Sequence, residues 1–130
     1  MGRYLIDSNV ISNFTSASYS ESAMQFLANV IDRTPNISVI PKIEVLSWHS
    51  AIIQEEVILK SFINFSNFSN IISLSDLIVN KCIQIRRNIR IKTPDAIIES
   101  TAIVNNYTLL TSDLGFNRIP NLIVVNPFDL

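Results

Sequence analysis

Residues 92–116 read KTPDAIIESTAIVNNYTLLTSDLGF, and this stretch decides the fold. Thr93-Pro94 reads as a cap residue followed by proline at the first helical position, where the missing N–H costs nothing. The spacing predicts a helix over 94–106 and a strand over Thr108-Leu109-Leu110-Thr111. That strand is nearly all apolar or β-branched, as expected where a parallel sheet is covered on both faces. An acid opens the helix (Asp95) and another follows the strand (Asp113).

The same pattern extends outward. Short strands are predicted at Tyr4-Leu5-Ile6, Ile37-Ser38-Val39-Ile40, Ile71-Ile72 and Leu122-Ile123-Val124-Val125. Apolar residues at three- and four-residue spacing predict helices over 20–32 (capped by Ser20), 51–63 and 75–88. Segment 61–75 reads as a helix end, a loop and a short strand. Alternating strands and helices argue for an α/β sandwich with a mostly parallel sheet. With no Gly/Ser linker and no internal repeat in 130 residues, one domain over 1–130 is expected.

Composition excludes several classes. Apolar residues make up 48% of the chain and charged residues 16%, against intrinsic disorder. Ten basic and eleven acidic residues leave a net charge of −1, unlike a protein that coats nucleic acid by charge alone. One cysteine, Cys82, excludes an internal disulfide framework and a Cys-rich zinc site, and one histidine, His49, excludes HExxH. No run of about 18 apolar residues occurs, and Asp7 interrupts the first apolar run, so neither a membrane span nor a signal peptide is expected. A soluble, cytoplasmic, reducing setting is the default expectation.

Ligand sites of parallel sheets lie beyond the carboxyl ends of the strands. Asp7, Glu44, Asp95 and Asp113 all fall near strand ends or helix starts. Each has a plain alternative. Asp95 could serve the helix dipole, Asp113 a turn, and Glu44 a solvated helix face. Asp7 is harder to dismiss, because an acid ending a buried strand is costly unless it is solvated, paired or bound to a cation. Gathered carboxylates repel one another, and divalent cations with a preference for oxygen relieve that repulsion. Such a cluster suits phosphodiester hydrolysis.

Asp7-Ser8-Asn9, Glu44, Thr93-Pro94-Asp95-Ala96-Ile97-Ile98 and Thr111-Ser112-Asp113-x-x-Phe116 together resemble the PIN-domain family, and most nearly its VapC-type toxins. The resemblance runs from Tyr4 to about Pro127, and 92–116 is its most specific block. It implies a three-layer α/β/α sandwich around about five strands. It implies an endoribonuclease using Mg²⁺ or Mn²⁺, held by Asp7, Glu44, Asp95 and Asp113, which leaves a 5′-phosphate and a 3′-hydroxyl. Asn9, Thr111 and Ser112 would place water, substrate and carboxylates. A cognate antitoxin and a homodimer are the implied partners. Gly115 stands where many relatives carry an acid, and Glu99 where relatives often have Ala. Glu99 could replace the lost acid or face solvent, and the general exposure of Glu favours solvent.

Five of the ten basic residues, Lys81, Arg86, Arg87, Arg90 and Lys92, lie within twelve positions just before Asp95. They are candidates for RNA phosphate contacts, or a solvated helix face. Cys82 reads as a core thiol, Trp48 as a core or partner-contact residue, and His49 as structural. A catalytically silent PIN-fold binding module is the alternative function. A haloacid-dehalogenase-type phosphatase would need a second acid where Asn9 stands, and a receiver domain an acid ending the Ile71-Ile72 strand.

Overall fold

A computed structural model describes residues 3–33, 36–47, 64 and 70–130. The predicted helix over 51–63, Trp48 and His49 lie outside the described residues, as does most of 61–69. In chain order the elements are β1 (Tyr4–Ile6), α1 (Ser8–Thr15), α2 (Glu21–Arg33), β2 (Asn36–Ser38) and α3 (Val39–Leu46). β3 (Asn70–Ile72), α4 (Asp76–Asn88), α5 (Thr93–Val104), β4 (Thr108–Leu110) and β5 (Val124–Val125) follow. Short 3₁₀ turns cover Leu114–Arg118 and Pro127–Asp129.

The strands form one five-stranded sheet in the order β3-β2-β1-β4-β5, and every pairing is parallel. Leu5 pairs with Leu109, and Ile6 with Leu110. Successive strand residues face opposite ways, so this register sorts the core into two layers. Ile6, Ile37 and Leu110 face Val10 and Ile11 of α1 and Ala23, Leu27 and Val30 of α2. Leu5 and Leu109 face Ile98 and Ala102 of α5, together with Phe116. Helices cover both sheet faces, giving the expected three-layer α/β/α sandwich, and α4 packs along α5. Asn36 ties the strands laterally: its amide donates to the Tyr4 carbonyl (3.2 Å) and its Oδ1 accepts from Asn70 (3.0 Å).

Several boundaries differ from the sequence reading. The second strand stops at Ser38, whose Oγ accepts from the Ile40 N–H (3.1 Å), and α3 begins at Val39. Pro41 then lies in the first turn of α3, where no intrahelical donor is needed. Helix α1 was not anticipated; Asp7 caps it by accepting from the Ser8 N–H (2.8 Å). Lys92, not Thr93, stands at the N-cap of α5, without a side-chain bond. β5 starts at Val124, and Ile123 before it is 66% exposed while its carbonyl accepts from the Leu109 N–H (2.9 Å). Ser20 and Ser75 act as helix caps, accepting from Ala23 (3.2 Å) and Ile78 (3.3 Å), and Cys82 is buried as expected. Among the described residues, no helix is long and apolar enough to cross a membrane.

Candidate active site at the switch point of the sheet

From β1 the strand order runs one way to β2 and β3 and the other way to β4 and β5. The crevice at such a switch point, beyond the carboxyl ends of the strands, is where open parallel sheets bind ligands. Asp7 leaves β1 there, and its N–H bonds the Leu110 carbonyl at the end of β4 (3.0 Å). Thr111, Ser112 and Asp113 leave β4 at the same edge.

One hydrogen-bonded network joins the two strand ends. Asp7 is 6% exposed, and both its oxygens are engaged. Oδ1 accepts from the Ser8 N–H, and Oδ2 from the Thr111 hydroxyl (2.9 Å) and the Asn9 amide (3.2 Å). The Asn9 amide also reaches Thr111 Oγ1 (3.2 Å), while Asn9 Oδ1 accepts from the Ser112 N–H (3.1 Å). Thr111 Oγ1 accepts from the Asp113 N–H as well (3.1 Å). Asp7, Asn9, Thr111 and Ser112, singled out from the sequence, thus meet.

Glu44 and Asp95 are linked to Asp7 through charge, and Asp113 to Asp95. Burial pushes the Asp7 carboxyl from 3.8 up to about 6; the negative charges of Glu44 and Asp95 add to the rise, and the bonds from Thr111 and Ser8 oppose it. Burial also raises Glu44, with help from Asp95. Asp95 is raised by burial and then by Asp113, against the pull of Lys92. Glu44 projects from α3 and is exposed; Asp95 is half-buried in the first turn of α5, and Asp113 is exposed, accepting from the Gly115 N–H (2.9 Å). A side chain at position 115 would crowd that contact, since a Cβ would stand 3.2 Å from Asp113 Oδ1.

Asp95 and Asp113 line a cavity of about 210 Å³, together with Arg90, Lys92 and Glu99. Glu99 corrects the sequence reading: it does not face solvent but is completely buried. It stands one helical turn after Asp95, on the same face of α5, and that face turns inward. The basic cluster divides. Arg90 and Lys92 border the acidic cavity, whereas Arg86 and Arg87 border a separate apolar cavity of about 550 Å³ beside Cys82. Arg86 also donates to the Ile91 carbonyl (3.2 Å).

The donor set is carboxylate, with hydroxyl and amide support, which is the chemistry of a hard divalent cation. Among the described residues, no three acid, histidine or cysteine side chains converge on one point. A divalent cation held by such separated carboxylates would complete its shell with water.

Two residues not singled out from the sequence join the network. The Tyr19 hydroxyl lies 3.0 Å from Ser112 Oγ and accepts from the Asn13 amide (3.2 Å). Asn13 could have been found from its spacing of four from Asn9 on α1, but nothing marks Tyr19.

The PIN domain family profile matches residues 4–122. Among solved structures, the chain resembles VapBC2 from Rickettsia felis bound to a DNA fragment from their promoter. Identity is 26%, the TM-score is 0.76, and the match covers 95% of this chain and 97% of that one. A toxin–antitoxin complex from Klebsiella pneumoniae matches at 26% identity and TM-score 0.68, with the same coverage. DNA-bound VapBC from Salmonella typhimurium shares the fold at 19% identity and TM-score 0.77, over 98% of this chain and 99% of that one. Among curated proteins, none matches the chain significantly. The resemblance read from residues 4–127 is borne out: the chain belongs to the PIN domain family and is VapC-like within it.

Proposed function

We propose that this protein is a metal-dependent endoribonuclease, the toxin of a VapBC-type pair. The observation that carries the reading is Asp7, buried at the switch point and bonded to Thr111 and Asn9, its pKa raised by that burial and then by Glu44 and Asp95. Carboxylates that hold one another's pKa values up favour a cation at that spot.

Asp7, Asp95 and Asp113 would hold Mg²⁺ or Mn²⁺, and Glu44 would hold it or orient water. A bound ion there supplies an acidified water and neutralises charge on the phosphate. Thr111 and Asn9 keep the Asp7 carboxylate from rotating, and Ser112 borders the substrate phosphate. Arg90 and Lys92 draw the RNA backbone to the cavity through charge. Water attacks phosphorus and the P–O3′ bond breaks, so one product carries a 5′-phosphate. The attacking water gives up a proton to solvent, and the 3′ oxygen leaves and takes one from solvent.

A cognate antitoxin is the proposed partner, in keeping with the toxin–antitoxin complexes that this chain resembles. A cationic antitoxin side chain at the acids would replace the metal's charge. A homodimer is proposed by the same family likeness.

The second reading is a catalytically silent binding module. It is favoured by the lack of a three-acid convergence among the described residues. Expression of the chain alone in a bacterium, beside Asp7→Asn and Asp95→Asn, separates the two. Growth arrest and discrete RNA cuts with the native chain only are expected. Soluble, folded protein that cuts no RNA in Mg²⁺ or Mn²⁺ would overturn the nuclease reading.

A further inference from the structure

We propose that Tyr19 is a positioning residue that aims the Ser112 hydroxyl proton at a phosphate oxygen of the substrate. Its hydroxyl lies 3.0 Å from Ser112 Oγ, and the Asn13 amide donates to it at 3.2 Å. Tyr19 is 7% exposed, so its phenolic proton needs a partner. The Asn13 amide brings a proton of its own and leaves the phenol to donate. Ser112 Oγ, 3.0 Å away, can accept that proton. Having accepted from Tyr19, the Ser112 hydroxyl turns its own proton outward, and bonds in such a series strengthen one another.

Ser112 is half-exposed and sits between Thr111, which bonds Asp7, and Asp113. Its backbone is pinned by Asn9 (3.1 Å), beside the strand ends that carry Asp7 and Asp113. The ring of Tyr19 is held edge-on to Phe128, with centroids 4.6 Å apart. The proposal rests on the RNA reading above.

The test compares the native chain with Tyr19→Phe, Ser112→Ala and the double variant. Tyr19→Phe keeps the ring and its contact with Phe128, and Ser112 is half-exposed, so unchanged melting midpoints are expected. Affinity for a fluorescein-labelled single-stranded RNA is read by anisotropy with Ca²⁺ in place of Mg²⁺, and Mn²⁺ affinity by calorimetry. Each single variant should bind RNA about five-fold more weakly, as loss of one hydrogen bond implies, with Mn²⁺ affinity unchanged. The double variant should be no weaker than Ser112→Ala, because both act through one proton. Equal RNA affinity in all four proteins overturns the proposal and leaves the nuclease reading standing. Additive losses, or a fall in Mn²⁺ affinity, also overturn it by giving Tyr19 a separate role. RNA binding without cleavage in Mg²⁺ or Mn²⁺ overturns the nuclease reading alone, and failure of the native chain to bind RNA overturns both.

Discussion

Asp7 does two jobs that pull against each other. As N-cap of α1 its carboxylate accepts from the Ser8 N–H, and as a buried acid beside Glu44 and Asp95 its charge is disfavoured. Asp7→Asn keeps the capping oxygen and removes the charge. Cleavage should fall by about 100-fold or more if the acid holds the ion, with the circular dichroism spectrum unchanged. The same residue predicts a pH dependence. Its folded pKa, about 6, lies above the ordinary 3.8, so between those values the folded state holds a proton that the unfolded state has released. Stability from this source is complete below pH 3.8 and is lost as pH rises toward 6. The loss is roughly 3 kcal/mol at about 1.4 kcal/mol per unit. Urea unfolding of the metal-free protein from pH 4 to 7 should show the fall, and Asp7→Asn should flatten it. Asp7 was legible in the sequence because it breaks an apolar strand. Glu99 was misread because exposure is the usual fate of Glu, and which face of α5 turns inward depends on packing that spacing alone does not reveal.

At the scale of elements, local caps made some boundaries readable and not others. Ser75 caps α4 through the Ile78 N–H (3.3 Å), and a serine followed by Asp76 and Leu77 stands at its start in the sequence. Ser75→Ala should cost about 1 kcal/mol in urea unfolding and leave RNA cleavage intact, since α4 carries none of the four candidate acids. The end of β2 was read two residues late, because Ile-Ser-Val-Ile has strand character throughout, yet the Ser38 side chain takes the Ile40 N–H and starts α3. The basic cluster was one feature in the sequence and is two in space. Neutralising Arg90 and Lys92 should lower the salt dependence of RNA binding by about 0.7 per lost phosphate contact. Neutralising Arg86 and Arg87, on the apolar cavity, should change it less. Binding isotherms over a salt series would check both.

At the scale of the whole molecule, the sheet order is what makes a site. β1 and β4 are adjacent although about a hundred residues apart, and both are short and covered on each face. Leu109 is fully buried between β1 and α5, so Leu109→Ala should lose about 2–5 kcal/mol by chemical denaturation. RNA cleavage should weaken with it, because β4 leads directly into Thr111 and Asp113. The sequence by itself determined the alternation of strands and helices, the near-continuous apolar strands and the four candidate acids. Those features rest on local periodicity and on residues whose chemistry is costly to bury. Only the tertiary structure decided that Asp7 shares its proton environment with Thr111, that Glu99 is enclosed, that Tyr19 reaches Ser112, and that Arg90 and Lys92 part from Arg86 and Arg87. Each of these depends on register and helix rotation across chain-distant segments, which two core layers select together and no single stretch encodes.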